Sequence, residues 1–347
     1  MSPTDRPPES ILPPPAFPDP PECLFDDSGA PKIGTYFGPI ARVDLSPAVA
    51  RLGRAEAFSR HKRWFYTAVS TDELWLGAAI VDTGYAANAF AYVSSHERGV
   101  LATTSHLGVP GLGCRVGDLP EEGADARFRS LDAHLRLRRR EGSSAYELVV
   151  DSKELQAWAT IETARAPWPL TAIARPLGGE VNVTEKRALC DVRGEVRFRG
   201  ERHVLDGGLA GMDYTQGLLP RMTAWRWAYM LGRTDAGLRV ALNLVEGFNG
   251  GVECGVWVGR RLYAVGEGRF EFDRNNPDKP WRVTTACGAV DLRFESVGVH
   301  AERRDLLLIR SEFVQPVGRF FGAVRVGDRE VEIDGVPGVV EDQSVRW

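Results

Sequence analysis

A chain of 347 residues with 43% hydrophobic and 26% charged residues has the composition of an ordinary folded protein, long enough that two domains are the default expectation. Its net charge of −4 comes from interspersed signs, which argues against a nucleic-acid partner, and no apolar run reaches the roughly 18 residues that span a bilayer. Five widely spaced cysteines without a C-x-x-C pair exclude a disulfide framework or zinc ribbon, and six isolated histidines show no ligand spacing, so neither metal nor cofactor is expected.

Nine of the first 21 residues are proline, so residues 1–31 read as a polyproline-like arm that cannot join a hydrogen-bond ladder. Such an arm lies along the body or stays mobile, packs over a cavity mouth, or serves as a proline-rich recognition ligand. No basic segment followed by an apolar core is visible, and a cytoplasmic location is expected. Modest helical spacing is confined to Ser46 to Ser59, with Pro47 at its first turn. From Lys62 onward, short apolar bursts bounded by glycine, proline and aspartate predict strands. In the first half these are Arg63 to Val69, Leu74 to Asp82, Ala87 to Ser94, Gly99 to Thr104, Ala126 to Leu131, His134 to Arg139, Tyr146 to Ser152 and Leu155 to Thr163. In H-L-R-L-R-R-R, Leu135 and Leu137 face inward and the arginines outward. The basic run Arg136 to Arg140 reads as a solvated strand end and turn, with a phosphate or partner patch as the alternative.

Proline and glycine cluster at 166–169 and again at 176–179, which places a boundary near residue 178, between an N-terminal β domain (32–178) and a C-terminal one (179–347). Beyond it the bursts are Val181 to Val192, Gly194 to Phe198, Thr223 to Leu231, Leu238 to Glu246, Gly255 to Val258, Arg261 to Val265 and Gly268 to Phe272. They end with Trp281 to Thr285, Val290 to Ser296, Leu306 to Val317, Gly318 to Val326 and Arg329 to Val336. Turns such as 234–237 and 326–328 read as hairpins. The fold class is all-β, a pair of antiparallel barrels or curved sandwiches in tandem with few short helices.

The segment His203 to Trp257 concentrates polar groups and large aromatics at a density that costs stability unless they are exposed or mutually bonded. A glycine-rich turn carrying Asp206, Asp213 and Gln216 leads into a strand on which Trp225, Trp227 and Tyr229 share one face and Arg226 the other. The aromatic face lines a cavity or forms a packing seam; Arg226 needs a carboxylate such as Glu246 or Asp213. Two carboxylates converging on an apolar pocket raise one pKa and leave a protonated acid able to donate to an alkene or leaving group. The catalytic candidates are Asp213, with Tyr214 as its hydrogen-bond partner, Glu246 and Glu253. The ligand-binding candidates are Tyr214, Gln216, Arg221, Trp225, Arg226, Trp227, Asn243 and Trp257. The plainer reading makes these acids turn formers or partners of Arg221 and Arg226. No serine sits in G-x-S-x-G, no Walker sequence is present, and the glycines from Gly111 to Gly117 miss dinucleotide spacing and read as a loop.

The run G-M-D-Y-T-Q-G from Gly211, then Pro220-Arg221, W-R-W-A from Trp225, N-L-V from Asn243, Glu253 before Trp257, and the closing Glu341-Asp342-Gln343 and Trp347 resemble the bacterial domain of unknown function 2804 family. The resemblance covers nearly everything after the arm. It departs at Cys254, where asparagine is expected, which puts a polar contact there in question. More distantly, the layout and the W-x-W strand are similar to tandem lipocalin-like proteins that include carotenoid hydratases, whose resemblance implies lipocalin-like barrels and metal-free acid chemistry on apolar substrates. The function expected is binding of an apolar or amphipathic small molecule, lipid- or isoprenoid-like, near the domain junction, with hydration, cyclisation or isomerisation if it is transformed. The alternative is a non-catalytic β-sandwich module for carbohydrate or a protein partner, and the direction in which Trp225 and Trp227 point separates the two.

Overall fold

The computed structural model describes residues 18–108, 112–305 and 309–347. The first 17 residues of the proline arm, Gly111 of the glycine-rich loop and the start of the strand expected from Leu306 lie outside them. The remainder of the arm packs against the body: Leu24 and Phe25 are buried in the first core, and the Phe37 amide donates to the Pro18 carbonyl at 3.0 Å. The helical stretch forms as two pieces, Ser46–Leu52 and Arg54–Arg60, because Gly53 between them has φ 81, outside the helical region. No helix among the described residues is long and apolar enough to cross a membrane.

Most of the other described residues form antiparallel sheet, arranged as two barrel-like sheets, one nearly closed and one a half-barrel. The first has 14 strands. Its path runs from Gly99–Gly108 through Ala87–Ser95, Leu74–Asp82, His61–Ser70, Leu209–Leu218 and Val181–Phe198, and continues through Gln156–Glu162 to Cys114–Val116. The second has nine strands, centred on Met222–Arg233, Arg329–Arg346 and Arg310–Val326. Alternation holds where one face meets a core: Leu135 and Leu137 are buried while Arg136 and Arg138 are half-exposed and paired with Asp125 and Glu147. The other two arginines of that run pair with Glu121 and Glu147, so each arginine of the run has a carboxylate partner within the chain.

Four apolar clusters make the interior of the described residues, the smallest built on Leu219, Val345 and Trp347. One fills the first sheet around Phe128, Tyr146 and Val150, and a second fills the other sheet around Trp281, Phe294 and Phe320. The third lies between the sheets and draws on both, with Tyr66, Trp75 and Tyr92 from one and Trp227, Tyr229 and Val339 from the other.

Two expectations change. The stretch carrying Asp213 is not a turn but the ten-residue strand Leu209–Leu218, buried along its whole length between His61–Ser70 and Val181–Phe198. Its glycines serve close approach: a Cβ on Gly211 would stand 1.7 Å from the Tyr229 hydroxyl oxygen, which donates to the Arg187 carbonyl at 2.9 Å. The proline-glycine turn at 176–179 joins Leu170–Ala174 to Val181–Phe198, two paired strands of one sheet. A division at residue 178 therefore falls inside the first sheet, and the chain changes sheets between Leu218 and Met222.

Gly211→Ala should destabilise the fold by about 2 kcal/mol through overpacking against Tyr229. Denaturant unfolding of the single variant and of Gly211→Ala combined with Tyr229→Phe checks the origin, since removing the hydroxyl should restore part of the loss.

Candidate functional site

The space between the sheets does not fill completely. Alternate residues of facing strands leave a cavity of about 170 Å³. Trp64, Tyr66, Ala79 and Phe90 line it from the first sheet, and Trp225, Trp227, Phe313 and Val345 from the second. The two-residue period of each strand sets this lining. Trp64 and Trp225 stack across the junction at 5.8 Å, and Tyr66 meets Trp227 edge-on at 5.4 Å.

One wall of this apolar space is charged. Lys186, from Val181–Phe198, is buried and places Nζ 2.6 Å from Asp213 Oδ1, its cross-strand neighbour, and 3.9 Å from Glu253 Oε1 of the second sheet's 3-10 turn. Asp213 Oδ1 also accepts from the Thr184 hydroxyl at 3.2 Å and the Thr215 hydroxyl at 3.1 Å. Burial works against the Lys186 ammonium, but Asp213 and Glu253 more than offset it and hold the pKa above that of an ordinary lysine. Burial pushes the Glu253 carboxyl up, against Lys186 and with the help of Asp213; its second oxygen accepts from the Asn249 amide.

Glu341, from Arg329–Arg346, completes the wall. Its carboxyl accepts from Trp225 Nε1 at 2.7 Å and from Gln315 Nε2 at 2.7 Å. Gln315 Oε1 accepts from the Tyr92 hydroxyl at 2.5 Å, and the Tyr66 hydroxyl lies 3.4 Å farther on. Burial raises the Glu341 pKa to about 7 despite its two donors, so the group changes protonation near neutrality. A proton on the oxygen that faces Gln315 puts donor against donor, and turning the Gln315 amide and the Tyr92 hydroxyl resolves the conflict. Among the described residues no group of three or more His, Cys, Asp or Glu side chains is placed to hold a metal ion.

The model of the domain of unknown function 2804 family matches residues 18–347. The chain belongs to that family. Among solved structures, this DUF2804 chain is similar to CghA bound to Sch210972, at 11% identity, with 94% of this chain and 97% of that one covered and a TM-score of 0.55. It is also similar to an AttH-like protein from Nitrosomonas europaea, at 12% identity, with 82% and 92% covered and a TM-score of 0.50. Kievitone hydratase from Nectria haematococca aligns at 12% identity over 82% and 88%, with a TM-score of 0.47. No curated protein matches in sequence. At such identities the likeness is one of fold: two barrel-like, lipocalin-like sheets in tandem.

The cavity gathers Asp213, Glu253, Trp225 and Trp227 from the expected set. Asn243 stands behind them, accepting from Trp227 Nε1 at 2.8 Å and donating to the Glu253 carbonyl at 2.7 Å. Trp257 is buried in the intersheet cluster and donates to the Trp168 carbonyl at 3.1 Å, away from the lining. Tyr214 and Gln216 bond each other at 2.6 Å, away from the cavity lining; as Asp213's neighbour on a strand, Tyr214 points oppositely and is not its partner. Arg226 lies 3.4 Å from Glu246 and 3.2 Å from Asp342, outside the lining, which also removes Glu246. Arg221 is exposed, outside the cavity lining, and its carbonyl accepts from the Trp347 amide at 2.9 Å. Asp206 closes a turn by accepting from the Gly194 amide at 2.8 Å. Cys254 does keep a polar contact: its sulfur takes the Val245 amide at 3.3 Å.

Lys186, Glu341, Gln315 and Tyr92 were not singled out by the sequence. Lys186 and Tyr92 sit in strand stretches buried on both faces, so no alternation marks them. Near Gln315 and Glu341 the strands alternate farther along, but alternation marks burial and not contact with the other sheet. For Lys186 and Glu341 the local signal was the charge itself within V-N-V-T-E-K-R and G-V-V-E-D-Q.

Asp213→Asn should destabilise the protein by about 3 kcal/mol by leaving the Lys186 ammonium short of its nearest counter-charge, and adding Lys186→Met should recover much of that loss. Denaturant titration of the two single variants and the double variant measures it. A second test uses pH. The Glu341 carboxyl keeps its proton in the folded state up to about 7, while in the unfolded chain it ionises around 4.5, as an ordinary glutamate does. The native state therefore holds the extra proton, and the stability from this group falls as pH rises between those values. Glu341→Gln should gain on wild type by on the order of 2 kcal/mol between pH 5 and pH 8; unfolding curves at the two pH values compare them.

Proposed function

We propose that this chain holds an apolar or amphipathic small molecule in the intersheet cavity and transforms it by cofactor-free acid/base chemistry. The observation that carries the reading is Glu341: a carboxyl that protonates near neutrality, set in an aromatic cavity wall. Glu341 rather than Asp213 or Glu246 is the proton donor in this reading, because Asp213 is committed to Lys186 as a counter-ion and Glu246 faces elsewhere.

Donation from Glu341 to a substrate double bond forms a C–H bond and leaves a carbocation with an ionised carboxylate. Trp64, Trp225 and Trp227 line the space that cation would occupy, and aromatic rings stabilise cations. Water adding and returning a proton to Glu341 gives hydration; attack by a second double bond followed by proton loss gives cyclisation; direct loss of a neighbouring proton gives isomerisation. Gln315, Tyr92 and Tyr66 form a hydrogen-bonded chain that holds the Glu341 carboxyl in place and can reorient as it gains or loses its proton.

That Trp225 and Trp227 line the cavity supports a small molecule over a carbohydrate or protein surface. The similarity to CghA, whose structure holds Sch210972, supports the same class of ligand. A cytoplasmic setting belongs to the proposal, since it keeps the five free cysteines reduced.

Native mass spectrometry of the protein purified from its own host, followed by organic extraction, tests the binding half. A retained isoprenoid or fatty compound near one per chain is expected. An empty protein that also fails to take up such compounds in vitro would sink it. For the chemical half, Glu341→Gln should retain the extracted compound and lose its turnover.

A further inference from the structure

The cavity has a second polar region, away from the lysine. Along the strands, Asn88 lies four residues from Tyr92 and Ser311 four from Gln315, about 13 Å at the strand rise. Asn88, Glu302, Arg304, Ser311 and Gln343 line the cavity there.

Their bonding is incomplete. Asn88 Nδ2 donates to Glu302 Oε2 at 3.5 Å, and Arg304 Nη2 donates to Glu302 Oε2 at 3.2 Å and to Ser105 Oγ at 2.7 Å. Gln343 Nε2 donates to Ser311 Oγ at 2.9 Å. Among the described residues this leaves Asn88 Oδ1, Gln343 Oε1 and Arg304 Nε buried without a partner. Gln343 is only 6% exposed. Glu302 Oε1 and His300 Nε2 also have no partner, but at 3.7 Å they face each other and close with a small shift. A buried carbonyl left unpaired is costly, and two around one cavity end need an account.

Resting on the cavity reading above, we infer that this end is a subsite for a hydrogen-bond-donating head group, a hydroxyl or carboxamide, on an otherwise apolar ligand. The polarity follows from which atoms are free. Asn88 cannot be turned around, because its Oδ1 would then face the Glu302 carboxylate. Gln343 follows the Ser311 hydroxyl and is less constrained, so Asn88 decides the match. The site therefore offers carbonyl acceptors and one guanidinium N–H, while Glu302 neutralises Arg304. A hydroxyl supplies one donor and one acceptor, and a primary amide supplies two donors and one acceptor. A carboxylate or phosphate supplies acceptors only and meets acceptors.

The volume suits one or two fused rings, since a cavity of about 150 Å³ takes benzene. Four probes of one shape separate the possibilities: 2-naphthalenemethanol, 2-naphthamide, 2-naphthoate and 2-methylnaphthalene, titrated calorimetrically into the full chain. The alcohol and the amide should bind roughly tenfold tighter than 2-methylnaphthalene, and the naphthoate no tighter. Asn88→Leu should erase that preference while leaving 2-methylnaphthalene within about twofold; the wild-type series decides the matter even where the variant fails to fold. Equal affinity for all four removes the subsite and leaves the cavity reading standing. Tightest binding of the naphthoate overturns the inference in favour of an anion on Arg304. No binding of any probe, 2-methylnaphthalene included, removes the cavity reading and the subsite together.

Discussion

The buried ammonium of Lys186 sets the terms for the surrounding structure. A cation out of water costs several kcal/mol unless counter-charge is fixed beside it, and here the counter-charge comes from two sources. Asp213 arrives by strand register, as the cross-strand neighbour of Lys186, and Glu253 arrives from the other sheet. The second contact makes the ion cluster a junction as well as a site. The sheets must approach closely enough to deliver Glu253, and the strand around Asp213 must carry glycine where Tyr229 crosses it.

Given that approach, the rest of the interface follows from area and shape. Each sheet has a core on one face and needs cover for the other, and the aromatic residues of Met222–Arg233 and His61–Ser70 supply it. Large flat rings stack and tilt against one another and cannot fill every gap, so a cavity persists where Trp64, Trp225 and Phe313 meet. Glu341 is buried in the same wall, and its position rather than its sequence context displaces its proton affinity.

How much of this was legible in the sequence depended on whether a residue sits in a strand with one face covered or two. Leu135 and Leu137 announced their burial by alternation, and most strands of the first half were readable in the same way. Leu209–Leu218 was not: covered on both sides, it shows no period, and its glycines mimic a turn. The W-R-W pattern correctly separated an aromatic face from Arg226, which does pair with Glu246. Whether Asp213 and Glu246 converge was beyond local pattern, because it depends on which strands neighbour one another across the whole chain. Lys186 and Glu341, far apart in sequence, show the same limit.

A lipocalin-like barrel usually brings to mind a cup that holds its guest inside, but here each sheet carries an apolar core of its own and the cavity lies between the two sheets. Such a space belongs to neither half. It comes into being only when the two are set against each other. Changing the tilt of one sheet on the other would reshape the pocket without altering a lining residue. The shape of this cavity is therefore set as much by interface residues that never touch it as by the side chains that line it.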